Sequence, residues 1–365
     1  MRVATATALL LVILLIAGLP GLTGLAPRLE NNPWGVTTYD FRYAIDVGNF
    51  GTTAARNMTL RVALLRDFTP FQQVLSQSVD IPGATIEEDE LSNRYAVYAF
   101  PELAPGASVM ANVTARARIF SIDFSVGPGT FPAPSPGPQY TVPEPFVEST
   151  DMRIANQSAR LWENSSSATD FVYRSYAWTT QHLTFETQPQ ERGAVWALKT
   201  GRGMCYEYSN LYMSLLRARG IAAKRVNGWG TPFQAHEVHH VEAIAHAWVL
   251  LYTADHGWTP VDPTFVDVHL FENFMKINDM HVILTEGVNR HLYRVTFDRV
   301  PGTNVQVDYT VHVLAKQEQN LSAARQVVWV GVLSVPILAA VIIIVQVGRE
   351  RRRRASGEVP SPPPT

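Results

Sequence analysis

The chain contains a single cysteine, Cys205, whose position favours chemistry over packing. It follows Gly203 and Met204 and opens a segment whose apolar residues recur at helical spacing. We therefore expect its sulfur near the positive end of a helix macrodipole, which favours the nucleophilic thiolate form. One cysteine cannot form an intramolecular disulfide, and a cysteine alone is more often a small core residue than a catalyst. Cys205 becomes a candidate nucleophile only if a base lies nearby.

His246 and Asp262 could supply that base and the acid that orients it. They lie on two predicted antiparallel strands, which a loop near residues 253–257 connects. With Tyr252 opposite Trp258, the histidine and the aspartate are diagonal neighbours on one face, about 7 to 8 Å apart at the backbone. An imidazole and a carboxylate can form a hydrogen bond across that distance. Together with Cys205, the pair predicts a catalytic triad.

The segment from His236 to His246 also fits a zinc pattern, His-Glu-x-x-His with a third histidine six positions later. In this alternative, His236, His240 and His246 bind the zinc ion of a metalloprotease. The pattern requires a helix and then a glycine bend, but Ala243 stands at the bend among β-branched residues. We prefer a polar loop leading into a strand, with no metal or organic cofactor at the thiol site. A non-catalytic surface scaffold that keeps the fold without turnover remains a third alternative.

Four segments resemble the transglutaminase-like superfamily, and they occur in the same order. The segment GRGMCYEYSNLYMSLLRARGI at 201–221 is similar to its nucleophile segment, and VNGW at 226–229, HAW at 246–248 and GWTPVDPT at 257–264 are similar to its later ones. The resemblance covers about residues 170–285. It implies a papain-like thiol fold with Cys205 as nucleophile, His246 as base and Asp262 as its orienting partner. The implied activity is that of a cysteine protease, amidase or acyltransferase acting on protein or peptide substrates through a thioester.

The elements around these motifs predict an α+β domain over residues 148–290. Helical spacing runs from Met152 to Leu183 and from Cys205 to Arg219, and strands follow. Upstream, apolar and polar residues alternate from 37 to about 122, which we interpret as an immunoglobulin-like β-sandwich over residues 30–126. A proline-rich linker is predicted at 127–147 and a β-hairpin unit at 291–318. These flanking parts resemble accessory domains of exported microbial members of the superfamily.

Apolar runs near both ends predict export and membrane attachment. Residues 1–26 are typical of a signal peptide or N-terminal anchor. Residues 327–347 are uncharged and long enough to cross a hydrocarbon core of roughly 30 Å. The arginine cluster after them assigns the disordered tail, 348–365, to the cytoplasm. We therefore expect a single-pass membrane protein, or a two-pass one if the first run is retained, with an extracytoplasmic catalytic domain.

The amino-acid composition and net charge exclude few classes of function. The net charge of -2 and the 17% of charged residues give no sign of nucleic-acid binding, so the expected contacts are a protein or peptide substrate and the lipid bilayer. Five Asn-x-Ser/Thr sequons agree with an exported glycoprotein. They begin at Asn57, Asn112, Asn156, Asn164 and Asn320.

Overall fold

The computed structural model describes residues 33–124, 130–131, 133–230, 241–242, 244–264 and 274–320. Those up to residue 318 belong to one compact unit. The strands are β1 Pro33–Asn49, β2 Ala55–Leu64, β3 Gln72–Asp80, β4 Thr85–Glu88, β5 Arg94–Leu103, β6 Ser108–Asp123, β7 Thr184–Phe185, β8 Arg202–Gly203, β9 Ala223–Gly230, β10 Val241–Glu242, β11 Ile244–Thr253, β12 Gly257–Val261, β13 Lys276–Ile277, β14 His281–Glu286, β15 Tyr293–Asp298 and β16 Val305–Asn320. The α-helices are α1 Met152–Glu163, α2 Ala168–His182, α3 Ala194–Thr200 and α4 Cys205–Arg217.

Two antiparallel sheets, built from N-terminal strands and from strands after residue 240, form a sandwich around a shared core. The first has the order β10-β16-β1-β6-β13, with β3 also paired to β6, and the second has the order β15-β2-β5-β4. In β1 every second residue is buried, as the alternating sequence predicts. Buried side chains of β1, β2, β5 and β6 join one hydrophobic cluster, so the two sheets enclose a common core. The immunoglobulin-like character of this sandwich stays a prediction.

The two strands of the predicted hairpin unit at 291–318 do not pair with each other. Strand β15 pairs with β2, Tyr293 lying opposite Val62, whereas β16 lies beside β1 in the other sheet. The prediction of a separate hairpin unit was therefore wrong. Alternation identifies a strand but not its partner, and each of these strands extends a different sheet of the sandwich.

The C-terminal part places helices against a third antiparallel sheet, in the order β12-β11-β9-β14. The predicted pairing of Tyr252 with Trp258 is present in the β11–β12 hairpin. Helices α2 and α4 cover this sheet, and their buried residues share one cluster with those of β9 and β11. Helix α4 ends just before Gly220, whose φ of 71° lets Ile221 N–H donate to the Leu216 carbonyl at 3.1 Å.

Contacts between the two parts include both apolar and polar groups. Trp229 of β9 is fully buried in the sandwich core, with its ring centroid 5.0 Å from that of Tyr43. Its indole N–H donates to the Tyr309 hydroxyl at 2.8 Å. The side-chain amide of Gln72 bonds both the N–H and the carbonyl of Ile283 in β14, at 2.8 and 2.7 Å. The sandwich therefore holds the strand layer on which the candidate site is built.

Several predicted segments lie outside the described residues: 1–26, 327–347 and 348–365, together with His236 and His240. The proline-rich linker at 127–147 is described only in part, with a single 3₁₀ turn at Pro138–Tyr140. Among the helices that the structure describes, none has the length and apolar character needed to cross a membrane. The predicted domain boundaries stay predictions.

Candidate active site

Cys205 is the first residue of α4, and the residues before it are fixed by Glu207. The buried Glu207 carboxylate accepts the Met204 N–H at 2.9 Å and the Arg192 N–H at 2.7 Å. Burial raises the pKa of Glu207, while these backbone hydrogen bonds act in the opposite direction. A Cβ at Gly203 would collide with the Glu207 side chain, so glycine allows this close approach. The thiol is consequently held at the N-terminus of a buried helix.

His246 and Asp262 meet as the sequence predicts. The His246 Nε2 atom lies 2.7 Å from Asp262 Oδ2, and both side chains are buried. The other carboxylate oxygen, Oδ1, accepts the Thr264 N–H at 2.9 Å. His246 also forms a side-chain hydrogen bond with Cys205. Since Nε2 faces Asp262, Nδ1 is the ring nitrogen left for the thiol.

The charges of His246 and Asp262 stabilise each other. Burial lowers the pKa of His246, but the charge of Asp262 and the hydrogen bonds to Asp262 and Cys205 outweigh it and raise the pKa to about 10. Burial raises the pKa of Asp262, yet the charge and hydrogen bond of His246 hold it well below its usual range. The folded protein therefore favours an imidazolium next to a carboxylate, and the imidazolium is lost only as the pH rises through about 10.

A second histidine, His281, contacts the same carboxylate. Its Nε2 atom lies 3.1 Å from Asp262 Oδ2, and it opens the buried strand β14. Trp248 lies beside both histidines, stacked on His246 at a centroid distance of 5.6 Å and edge-on to His281 at 5.0 Å. No motif in the sequence points to His281. The available signal was a histidine at the start of the apolar run 281–284.

A buried ion pair stabilises the segment beside Cys205. The Arg225 guanidinium on β9 donates to both carboxylate oxygens of Glu191, and to Asn210 Oδ1 of α4 at 2.9 Å. It also lies over the ring of Tyr206, 4.7 Å from the centroid. Both ionic side chains are almost fully buried. This network ties the segment before α3 to the helix that carries the cysteine, and sequence reasoning missed it.

Acyl transfer also needs N–H donors for an oxyanion, and three side chains upstream of Cys205 carry N–H groups. Trp178 stacks on His182 at 4.4 Å, Gln188 donates to Glu186 and Gln181 is exposed. Trp258 packs edge-on against Tyr140. The described contacts assign the role of oxyanion donor to none of these side chains.

A metal ion could be held by one group of described side chains. His246, Asp262 and His281 offer donor atoms that all lie within 4.8 Å of one another. The same atoms are already paired in the two hydrogen bonds to Asp262. For the zinc alternative, His246 lies on strand β11, and His236 and His240 are outside the described residues.

Comparison with known proteins matches part of the chain to a family. Residues 155–263 match the family model of the Transglutaminase-like superfamily. A candidate cysteine protease from Cytophaga hutchinsonii is similar in structure, with a TM-score of 0.55 and 15% identity over 75% of this chain and 92% of that one. The resemblance seen in the sequence is confirmed: residues 155–263 form a transglutaminase-like domain.

Two other matches are weaker or shorter. The ethylmercury-bound periplasmic domain of TgpA from Pseudomonas aeruginosa is 17% identical, with a TM-score of 0.28 over 65% of this chain and 92% of that one. An uncharacterised protein of Mycobacterium leprae (strain TN) is 34% identical over 82 residues, 22% of this chain and 28% of the relative. The chain thus matches little more than a quarter of that relative's length.

Proposed function

We propose that this transglutaminase-like domain is a cysteine-dependent enzyme that cleaves or transfers amide bonds, with peptide bonds as the main substrate class. Cys205 is the nucleophile, His246 the base and Asp262 its orienting partner. One observation carries the proposal: a hydrogen-bonded chain runs from Cys205 at the start of α4 through His246 to Asp262. A nucleophile, a base and an orienting acid in this order are what acyl transfer requires.

The reaction follows from the proton positions. The Cys205 sulfur attacks the amide carbon, a C–S bond forms, and the backbone N–H of Cys205 stabilises the developing oxyanion. The C–N bond then breaks, and the His246 imidazolium gives its proton to the leaving amine. A water molecule gives a proton to His246 and attacks the thioester, the C–S bond breaks, and an acid product leaves. Asp262 remains ionised and stabilises the imidazolium throughout.

Hydrolysis is the favoured outcome over transfer to an amine. Water is present at every turnover, and no described residue specifies an acceptor amine. A transferase would need a second binding region for its acceptor. We therefore expect the enzyme to release a peptide substrate as the free acid. Little cadaverine amide should form when cadaverine is added in excess.

Trapping the acyl-enzyme tests the proposal. The protein is mixed with p-nitrophenyl acetate, and digestion with mass spectrometry locates the acetyl group. We expect a burst of nitrophenolate and a hydroxylamine-sensitive thioester on Cys205. The matched Cys205→Ser variant should give neither. A folded wild-type protein that forms no adduct at Cys205 would contradict the assignment and favour a scaffold without turnover.

We also propose that the enzyme is attached to a membrane and acts on its extracytoplasmic side. The uncharged run at 327–347 and the arginine cluster that follows support this proposal. The protein should remain with membranes after a carbonate wash, and protease added to intact cells should cleave the catalytic domain. Recovery in the soluble fraction, with the run still present, would contradict it.

A further inference from the structure

His281 has both ring nitrogens at hydrogen-bond distance from oxygen atoms. Its Nε2 lies 3.1 Å from Asp262 Oδ2, and its Nδ1 lies 2.9 Å from Asn278 Oδ1. The side chain is only 3% exposed. The proton count on the ring depends on whether each of these oxygens accepts or donates.

The orientation of the Asn278 amide is fixed by the backbone. The Met280 N–H donates to Asn278 Oδ1 at 3.1 Å. If the amide were reversed, its NH₂ group would face this N–H, and two donors would oppose each other. The atom that faces Nδ1 is therefore the oxygen, an acceptor, and Nδ1 must carry a proton.

The carboxylate on the other side is also an acceptor. Asp262 Oδ2 already receives His246 Nε2 at 2.7 Å, and Oδ1 receives the Thr264 N–H. Ionisation of Asp262 is favoured by its two histidine neighbours, and an ionised carboxylate has no proton to donate. The Nε2 atom of His281 must then carry a proton as well.

We propose that His281 is a buried imidazolium and a positioning residue of the site, which donates from both nitrogens and holds the Asp262 carboxylate in the orientation that accepts from His246. Its effect on catalysis rests on the proposed function; its protonation does not. The Asp262 carboxylate then lies between two imidazolium rings, and its attraction to both reduces the cost of burying these charges.

The fold explains how a histidine from a distant strand reaches this carboxylate. Strand β9 is central, with β11 and β14 on its two sides, and His281 pairs with Gly230 of β9. A Cβ at Gly230 would press on the His246 side chain at 3.2 Å. Without that Cβ, the two imidazole rings come within 5.8 Å of each other across β9.

The turn before His281 is held by the sandwich. Asp279 accepts hydrogen bonds from the Thr37 hydroxyl at 2.7 Å and the Tyr39 hydroxyl at 3.1 Å, both from β1. Strand β13, just before this turn, pairs with β6, Ile277 lying opposite Ile122. His281 therefore couples the sandwich to the thiol site, and it lies beyond residues 155–263, which match the family model.

Among the described residues, the charged and titratable groups near His281 and its partner Asp262 include residues of several other elements. Asp262 follows β12, His246 lies on β11, and Cys205 lies on α4. Tyr176 of α2 interacts electrostatically with Asp262, which together with burial raises the pKa of the phenol. Asp279 lies in the adjoining turn. A change in the pH profile of a His281 variant is assigned to His281 only after the protonation of these other groups has been followed as well.

Protonation can be observed directly by NMR of the full-length protein labelled with ¹⁵N-histidine. The His281 signals are assigned by their loss in the His281→Gln variant. At pH 7 we expect two ring N–H signals from His281, one on each nitrogen. A single N–H signal would overturn the imidazolium assignment. The Asn278→Ala variant, which keeps His281 but removes its Nδ1 acceptor, should make one of these protons exchange faster.

The positioning role is tested by the rate at which iodoacetamide alkylates Cys205 between pH 5 and 9. At pH 6 the His281→Leu variant should react about tenfold more slowly than the wild type, because the Asp262 carboxylate loses a donor. The His281→Gln variant, whose amide can still donate to Asp262, should stay within about threefold of the wild type. His256→Leu is the matched control, since His256 lies in the β11–β12 turn against Phe124 and should leave the rate unchanged.

The outcomes separate this inference from the proposed function. A folded His281→Leu protein with the wild-type rate profile, or a His281→Gln protein as slow as His281→Leu, would overturn the positioning role. If His281→Leu does not fold, Asn278→Ala supplies the test, and an unchanged alkylation profile with two unchanged N–H signals would overturn the inference. If wild-type Cys205 is inert but His281 shows two N–H signals, the proposed function fails and the imidazolium stands.

Discussion

At the scale of single residues, the site is a chain of groups that stabilise one another's charge. The Asp262 carboxylate favours the His246 imidazolium, which in turn is hydrogen-bonded to the Cys205 thiol. Each group is buried, so each interaction acts in a medium of low dielectric constant. Removing one charge should therefore change the protonation of its neighbour.

The Asp262→Asn substitution tests this coupling. The amide keeps the size of the side chain but removes the charge that helps to raise the pKa of His246 to about 10. We expect the His246 ring to lose its proton at a lower pH than in the wild type, as measured by NMR titration. Acyl-enzyme formation should fall by roughly 10³-fold or more, since the base loses its orienting acid. An unchanged His246 titration would show that the Asp262 charge does not control this ring.

The three catalytic candidates could be predicted from the sequence, but their supporting residues could not. Cys205 opens a periodic helix, and the register of a short hairpin brings His246 to Asp262. Both signals are local. His281 reaches Asp262 from a strand on the far side of β9, and no fixed spacing in the sequence corresponds to such a contact.

At the scale of elements, the start of α4 depends on one buried carboxylate. Glu207 accepts two backbone N–H groups and links the segment at Arg192 to the residue before Cys205. The helix therefore begins at a fixed place, which sets the position of the sulfur.

The Glu207→Ala variant should lose stability, because two buried N–H groups lose their acceptor. We expect the free energy of unfolding to fall by roughly 2 to 4 kcal/mol. Glu207→Gln retains one carbonyl acceptor, so about half of that loss is expected. Urea denaturation at pH 7 followed by circular dichroism measures both. Equal stability of Glu207→Ala and the wild type would mean that the start of α4 is held by other contacts.

Alternation of apolar and polar residues is clear in the sequence where a core enforces it and weak where it does not. The alternating residues of β1 and β6 are buried, whereas β3 and β4 are largely exposed and their pattern is weak. The alternation of β15 and β16 was recognised but their pairing was not, because two neighbouring strands need not form a hairpin when a larger sheet offers each a partner.

At the scale of the whole molecule, the sandwich and the transglutaminase-like domain belong to one compact unit. Trp229 reaches from β9 into the sandwich core, and Gln72 pairs with the backbone of β14. The domain boundary predicted at residue 148 places the two residues of each of these contacts in different domains. Sequence patterns indicate where strands give way to helices, but they do not indicate that a side chain of one domain packs into the other.

A fragment of residues 148–290 should not fold cooperatively on its own. It would expose Trp229 to water and remove the partner strand of β13. A fragment of residues 30–318 should show a single cooperative urea transition and a strong near-ultraviolet circular dichroism signal. Within the longer fragment, Trp229→Ala should cost about 3 to 5 kcal/mol. A shorter fragment with a cooperative transition and a reactive Cys205 would contradict this dependence.

The most direct test of the central claim is the rate of iodoacetamide alkylation of Cys205 at pH 6, with and without the His246→Ala substitution. An ordinary thiol, with a pKa of about 8.5, is almost fully protonated at this pH and reacts slowly. If Cys205 and His246 form a catalytic pair, the wild-type protein should react at least about tenfold faster than the His246→Ala variant, and Cys205→Ser should not react. An inert Cys205, or equal rates in the wild type and the folded His246→Ala variant, would make Cys205 a core residue and contradict the account.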